Sequence, residues 1–459
     1  MPILEKKDKE KKILELTANI ILKSQGVVQI SDTPAKIVLD EENLSIFSEN
    51  WGTYLFSYRE VIDVISEDYK LKLSFNKEKE LVISQLGYQY EDFTRILIKL
   101  RNETILKDLL FQETLKKSGL EADFTYLDEK GVLKQEGKAE FRFYQTSLVI
   151  LPERGELIKI LFSDILETKT DNFQIEITIE KVGKVIILKL GEKFDLFKET
   201  LNSCLNESVL NVQNFIKEIW PEIDFSTLNK ISGLIKEGKA IEREKIKIIA
   251  PEFWEKLEKA LMRTEIKEEY EFLKSIGEQE KIYLGFKKGL MGKLTGDYLW
   301  FFIPTGNAIA FETTGEKETG RATYFFRILN RNEYKTVDKS QIESQIDNLI
   351  SKINLGLLAI NFRREPIYLS EEKLEEPDYV KYKFSMAKIP EIKLMRDLFI
   401  GRVIHRDNEQ WQKGVTDLLA FNVNSNDDAE KWSSFEETTE DKQEIDEENK
   451  AGDEITDQI

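Results

Sequence analysis

The chain has 459 residues, 41% hydrophobic and 33% charged, with 67 Lys plus Arg against 85 Asp plus Glu and a formal charge of -18. That length sets a prior of about three domains, and the net charge argues against free phosphate backbone or anionic lipid as the default partner. One cysteine, Cys204, excludes an intrachain disulfide, and one histidine, His405, excludes a histidine relay or a two-histidine metal site.

Residues 1–25 read as an N-terminal amphipathic helix, too short and too polar, with Glu15, Thr17 and Asn19, for a signal peptide or a membrane span. No run of about 18 apolar residues occurs elsewhere, which predicts a soluble, cytoplasmic protein with a reduced thiol. Short alternating segments then follow one another between turn-formers: 27–31, 35–40, 44–48, 52–57, 61–66, 70–75 and 80–86. Their length and their Val, Ile, Leu and aromatic content predict strands. Beyond Gly87, Phe93, Ile96, Leu97, Leu100, Ile105 and Leu109 recur at helical spacing. Residues 26–118 are therefore expected to form seven strands and a helix.

Residues 119–215 repeat the plan in register. Leu55-Phe56-Ser57 returns as Leu161-Phe162-Ser163, Gly87 as Gly191, Phe93 as Phe197 and Asn102-Glu103 as Asn206-Glu207. The last three matches each lie 104 positions apart, and alternation alone constrains neither a glycine nor an Asn-Glu pair. A seven-stranded antiparallel sandwich closed by one C-terminal helix resembles the pleckstrin-homology-like fold and its GRAM relatives. The resemblance implies a binding role toward phosphoinositides, peptides or proteins, with lipid-binding members using Lys and Arg between the first two strands. In the first copy that loop, Ser31-Asp32-Thr33-Pro34, carries no base. In the second, Lys134, Lys138 and Arg142 are candidate anion-binding residues, interleaved with Glu136 and Glu140. The competing reading is a solvated strand face of alternating charge.

Residues 216–276 change to helical periodicity, broken at Trp220-Pro221, and read as a helical connector. Residues 277–423 read as an α+β domain, with strands near 282–286, 298–303, 308–312 and 322–329 followed by a helical stripe after Asp338. Its loop of Gly285, Gly289, Gly292 and Gly296 with Lys287, Lys288 and Lys293 is a candidate anion cradle. The spacing is not that of a Walker motif, and a flexible turn is the plainer reading. His405 stands between Arg402 and Arg406 and reads as a surface or partly satisfied residue, while Cys204 takes the place of Leu100 in the repeated helix and reads as core. Arginines 321, 327, 331, 363 and 364 lie among paired aromatics, a composition that can stack on single strands. Half of such aromatics should face a core, and nucleic acid is not the expected partner.

Residues 424–459 hold 14 acids and 3 bases, the composition of a disordered acidic tail. Trp432 and Phe435 inside it are the candidate partner-binding residues. Together these features predict an α+β multidomain, non-enzymatic adaptor or scaffold without a cofactor or metal, engaging a protein with a basic surface. The alternatives are an anionic-lipid or inositol-phosphate module and an acidic chaperone of basic proteins.

Overall fold

The computed structural model describes residues 12–75, 79–110, 113–264, 266–288, 297–314, 322–405, 407–425, 427 and 430–432. The chain divides into two compact units, Met1–Leu205 with Ser370–Lys388, and Asn206–Leu369 with Ile389–Ile459. Three antiparallel sheets and their helices make it an α+β multidomain protein.

The first unit contains two sandwiches of one plan. The first is built from β1 (Leu14–Ser24), β2 (Val27–Leu39), β3 (Asn43–Ser48), β4 (Gly52–Ser57), β5 (Val61–Glu67), β6 (Lys70–Phe75), β7 (Lys79–Ser84) and helix α1 (Tyr90–Leu110). The second has β8 (Leu115–Asp128), β9 (Leu133–Tyr144), β10 (Ser147–Pro152), β11 (Ile158–Leu161), β12 (Ile165–Asp171), β13 (Gln174–Ile179), β14 (Gly183–Leu188) and the start of α2 (Phe194–Ile219), whose residues from Asn206 onward belong to the second unit. The sheet orders are β4-β3-β2-β1-β7-β6-β5 and β11-β10-β9-β8-β14-β13-β12. In each, the long first strand pairs with both the second and the last, joining the two halves around one core.

The helix expected at the N-terminus is corrected where the chain is described. Leu16, Ala18, Ile20 and Leu22 are buried and alternate with more exposed neighbours, a period of two that makes β1 a strand. The segments expected at 27–31 and 35–40 are one strand, β2, so each sandwich still has seven.

The repeat holds at the level of the backbone. Strands β5, β6 and β7 start and stop 104 residues before β12, β13 and β14. A bulge after Val61 returns after Ile165. Asp68 and Tyr69 have φ of 50° and 56°, and Asn172 and Phe173 have 46° and 59°. Each pair forms the two-residue loop of a hairpin, where a type I′ turn requires positive φ at both positions. Phe93 and Leu97 enter the first core, and Phe197, Leu201 and the buried Cys204 enter the second.

Residues 370–388 join this unit instead of the α+β domain expected over 277–423. Lys383 Nζ lies 3.4 Å from Glu60, Lys388 Nζ 2.7 Å from Glu156, and the ring of Phe384 lies 5.5 Å from the Arg101 guanidinium.

The second unit is a six-stranded sheet, in order β15 (Ile241–Glu242), β16 (Tyr283–Lys288), β17 (Asp297–Thr305), β18 (Ala308–Thr314), β19 (Ala322–Arg327) and β20 (Phe399–Ile404). The segment expected to be a connector supplies about half of the core on one face of the sheet. Phe253, Trp254, Leu257, Tyr270 and Leu273 pack with Phe301, Ile303 and Phe325. On the other face the Trp300 indole donates to Asn354 Oδ1 at 2.9 Å and its ring lies 4.4 Å from Phe362. Because helices cover both faces, Trp300-Phe301-Phe302 and Tyr324-Phe325-Phe326 are all buried, and none of these aromatics is left outside to stack on a base.

Candidate interaction surface

The outward side chains of the third and fourth strands differ between the two sandwiches. In the second, Val149 and Leu151 of β10 are buried in a small cluster with Tyr144, Leu157 and Leu106, the last contributed by α1. Polar groups seal the same interface. Arg142 donates to both Glu103 carboxylate oxygens, at 2.8 and 2.6 Å, and to Glu140 at 2.8 Å, while the Asn102 amide donates to the Gly155 carbonyl at 3.2 Å. Glu140 is held below the usual carboxylate range, first by Arg142 and further by the Gly119 amide, against the opposing effect of burial.

In the first sandwich the same positions are Ser45, Phe47, Thr53 and Leu55, with Trp51 at the turn. Phe47 is 41%, Trp51 48% and Leu55 62% exposed. An apolar face on an edge strand is a surface a soluble protein normally covers or blunts with charge.

A cleft of about 620 Å³ opens beside the covered interface, lined by Arg95, Lys99 and Glu103 of α1 and by Glu121, Lys138 and Glu153 among others. Four bases and five acids line it, so it offers an anion no net positive potential. Arg95 pairs with Asp92 at 2.9 Å and Lys189 with Asp123.

The other expected anion-binding residues are dispersed. Lys134 pairs with Asp128 at 3.1 Å, and Arg142 is committed to two glutamates. Lys138 reaches the cleft but does not converge with them on one site. Lys287 is buried in β16, Lys288 ends that strand, and Lys293 lies outside the described residues.

Trp432, expected on a free tail, folds back on its own unit. Its amide donates to the Ile400 carbonyl at 2.8 Å, and its side chain lies against Gly401, where an added Cβ would come within 3.1 Å of it. Lys431 reaches the Phe399 and Arg396 carbonyls, so residues 431 and 432 cover the edge of β20. Phe435 lies outside the described residues.

Sequence reading missed a buried cluster around His405; of the two readings offered for that residue, surface or partly satisfied, the structure fits the second. His405 Nε2 lies 2.9 Å from Glu312 and 3.0 Å from the Thr323 hydroxyl, which accepts from the Trp411 indole at 3.0 Å. Nδ1 faces Glu269 at 3.7 Å. Burial pushes the Glu312 carboxyl up, but the His405 charge and hydrogen bond outweigh it and bring the group below its usual value. Burial dominates at Glu269 and raises it. The ring joins the sheet to the helices at 267–276 and 408–424 and fits a structural tie. Among the described residues no group of acids, histidine and cysteine is arranged to hold a metal ion.

No family model matches the sequence, and no curated protein does. Among solved structures, a chain from the structure of the Spt16D Pob3N heterodimer is similar at 15% identity and a TM-score of 0.15, over 38% of this chain and 96% of that one.

Proposed function

We propose that the chain is a non-enzymatic protein-interaction scaffold and that its partner-binding face is the outer surface of β3 and β4. One observation carries this reading: the equivalent face of the second sandwich is already occupied by a protein helix, while Phe47, Trp51 and Leu55 on the first stand exposed. Aromatic and aliphatic side chains concentrated on one open face are the usual anchor of a protein interface. The acidic segment beyond Trp432, which carries Phe435, adds a long-range attraction for a partner with a basic surface. A cytoplasmic setting is part of the proposal. Among the described residues no helix is long and apolar enough to cross a membrane.

The test is a photoreactive benzophenone side chain at Leu55 of the full chain in cells, with one at Tyr88, 95% exposed, as control. Protein adducts from position 55 and not from 88 are expected. Adducts to lipid alone, or none, contradict the scaffold reading. Anionic vesicles at low salt should not retain the chain.

A further inference from the structure

The repeat shows what kind of object fits the open face. Helix α1 covers β10 through Leu106, the loop before β11 through Asn102 and Arg142 of β9 through Glu103, and its Leu109 carbonyl accepts from Lys159 of β11. Helix α2 starts 104 residues after α1 and carries Asn206, Glu207 and Leu210 at the matching places. Leu106 and its neighbour Ile105 are 4% and 1% exposed, but Leu210 and Val209 are 54% and 49% exposed. The tandem repeat therefore begins with a sheet face that exposes Phe47 and Leu55 and ends with a helix stretch that exposes Val209 and Leu210, of the two kinds that meet in its middle.

We propose that these ends are complementary: α2 of one chain docks on the β3–β4 face of a second copy, as α1 docks on β10–β11. This rests on reading that face as the partner-binding surface, and the occupant it names is a second copy, not the basic partner that the acidic segment attracts. By the same register Leu210 meets Ser45, Phe47 and Thr53, and the Asn206 amide reaches the Trp51 carbonyl, where Asn102 reaches Gly155. Val38 replaces Arg142, but Lys36 stands at the place of Glu140, so a cation remains on the same strand face two residues away. The contact is heterologous, and it propagates into a ring or an open filament.

Charge sets the salt dependence. At the rim of the internal contact Arg154 pairs with Glu91. The matching residues in the intermolecular contact are Asn50 and Asp195, so the acid is kept and its cation is lost, with Glu49 beside the vacated place. With that attraction gone and a chain charge of -18, association strengthens as salt screens the repulsion between copies.

The experiment mixes full chains carrying Ser45→Cys with full chains carrying Leu210→Cys under mild oxidation. Cys204 is 3% exposed and contributes no background. The mixture is expected to give a covalent dimer, either variant alone none, and the double variant a ladder. Sedimentation velocity should show mass growing with concentration and with salt, and Leu55→Asp and Leu210→Asp should each remain monomeric with unchanged thermal unfolding. No cross-link in the mixture, or equal cross-linking by a single variant alone, overturns the proposal. If the mixture fails while the probe at Leu55 captures a different protein, self-assembly is refuted and the scaffold reading survives. If both fail, both are refuted.

Discussion

The two sandwiches share strand order, bulge and turn geometry, yet treat one face in opposite ways. Val149 and Leu151 on the second are sealed under α1, while on the first Phe47 is exposed and Ser45 half-buried. Equal backbones with unequal surroundings teach that the fold fixes where an interface can form and the side chains decide whether it is filled from within. The substitutions agree: Ser and Thr stand in the first copy where Val and Leu stand in the second, a change that tolerates water without removing the aromatic anchors.

The comparison breaks most readily at the helices. Leu106→Ala should cost about 2–5 kcal/mol, as expected for a buried leucine, whereas Leu210→Ala at the matching exposed place should change stability by no more than about 0.5 kcal/mol. Urea unfolding of both variants checks this, and equal losses would mean that the two helix faces are alike. Arg142→Ala comes next. It leaves Glu103 and Glu140 facing each other without their shared donor, at a cost of about 2–3 kcal/mol. Lys36→Ala removes only the half-exposed pair with Glu15 and should fall within about 1 kcal/mol.

A smaller effect separates the copies by pH. Because Glu140 is depressed in the folded state, its contribution is present above the usual glutamate range and is lost as pH falls through the depressed value. Acid should therefore loosen the contact of α1 with the second sandwich, and Arg142→Ala should flatten that limb of the stability curve. Glu269 gives the opposite sign: its raised value means stability is lost as pH rises through it, so Glu269→Gln should bring a small gain at neutral pH. Thermal melts from pH 3 to 8 measure both, and a gain on acidification at Glu140 would reverse the assignment.

Much of this was legible in the sequence. The offset of 104, carried by Gly87, Phe93 and Asn102 and their counterparts, predicted the duplicated sandwich and the burial of Cys204. Strand β1 was missed because Leu16 and Ile20 satisfy a helical spacing as well as an alternating one, and only pairing with β2 and β7 decides between them. The second unit misled for a related reason. Its helices at 251–261 and 267–276 have no sequence mark showing that they cover a sheet formed some tens of residues later. His405 was illegible as a buried group because its partners Glu312 and Thr323 lie 93 and 82 residues away. Trp432 was read as free because its neighbours are acidic, while its amide completes the edge of β20.

The central claim is that one face is open on the first sandwich and filled on the second. The measurement that tests it most directly is thiol alkylation of full chains bearing Ser45→Cys or Val149→Cys, at low and high protein concentration. The account predicts no reaction at position 149 under either condition, and reaction at position 45 that is fast when dilute and slows at least about tenfold as copies associate. Equal reactivity at both positions, or a rate at 45 that ignores concentration, would contradict it.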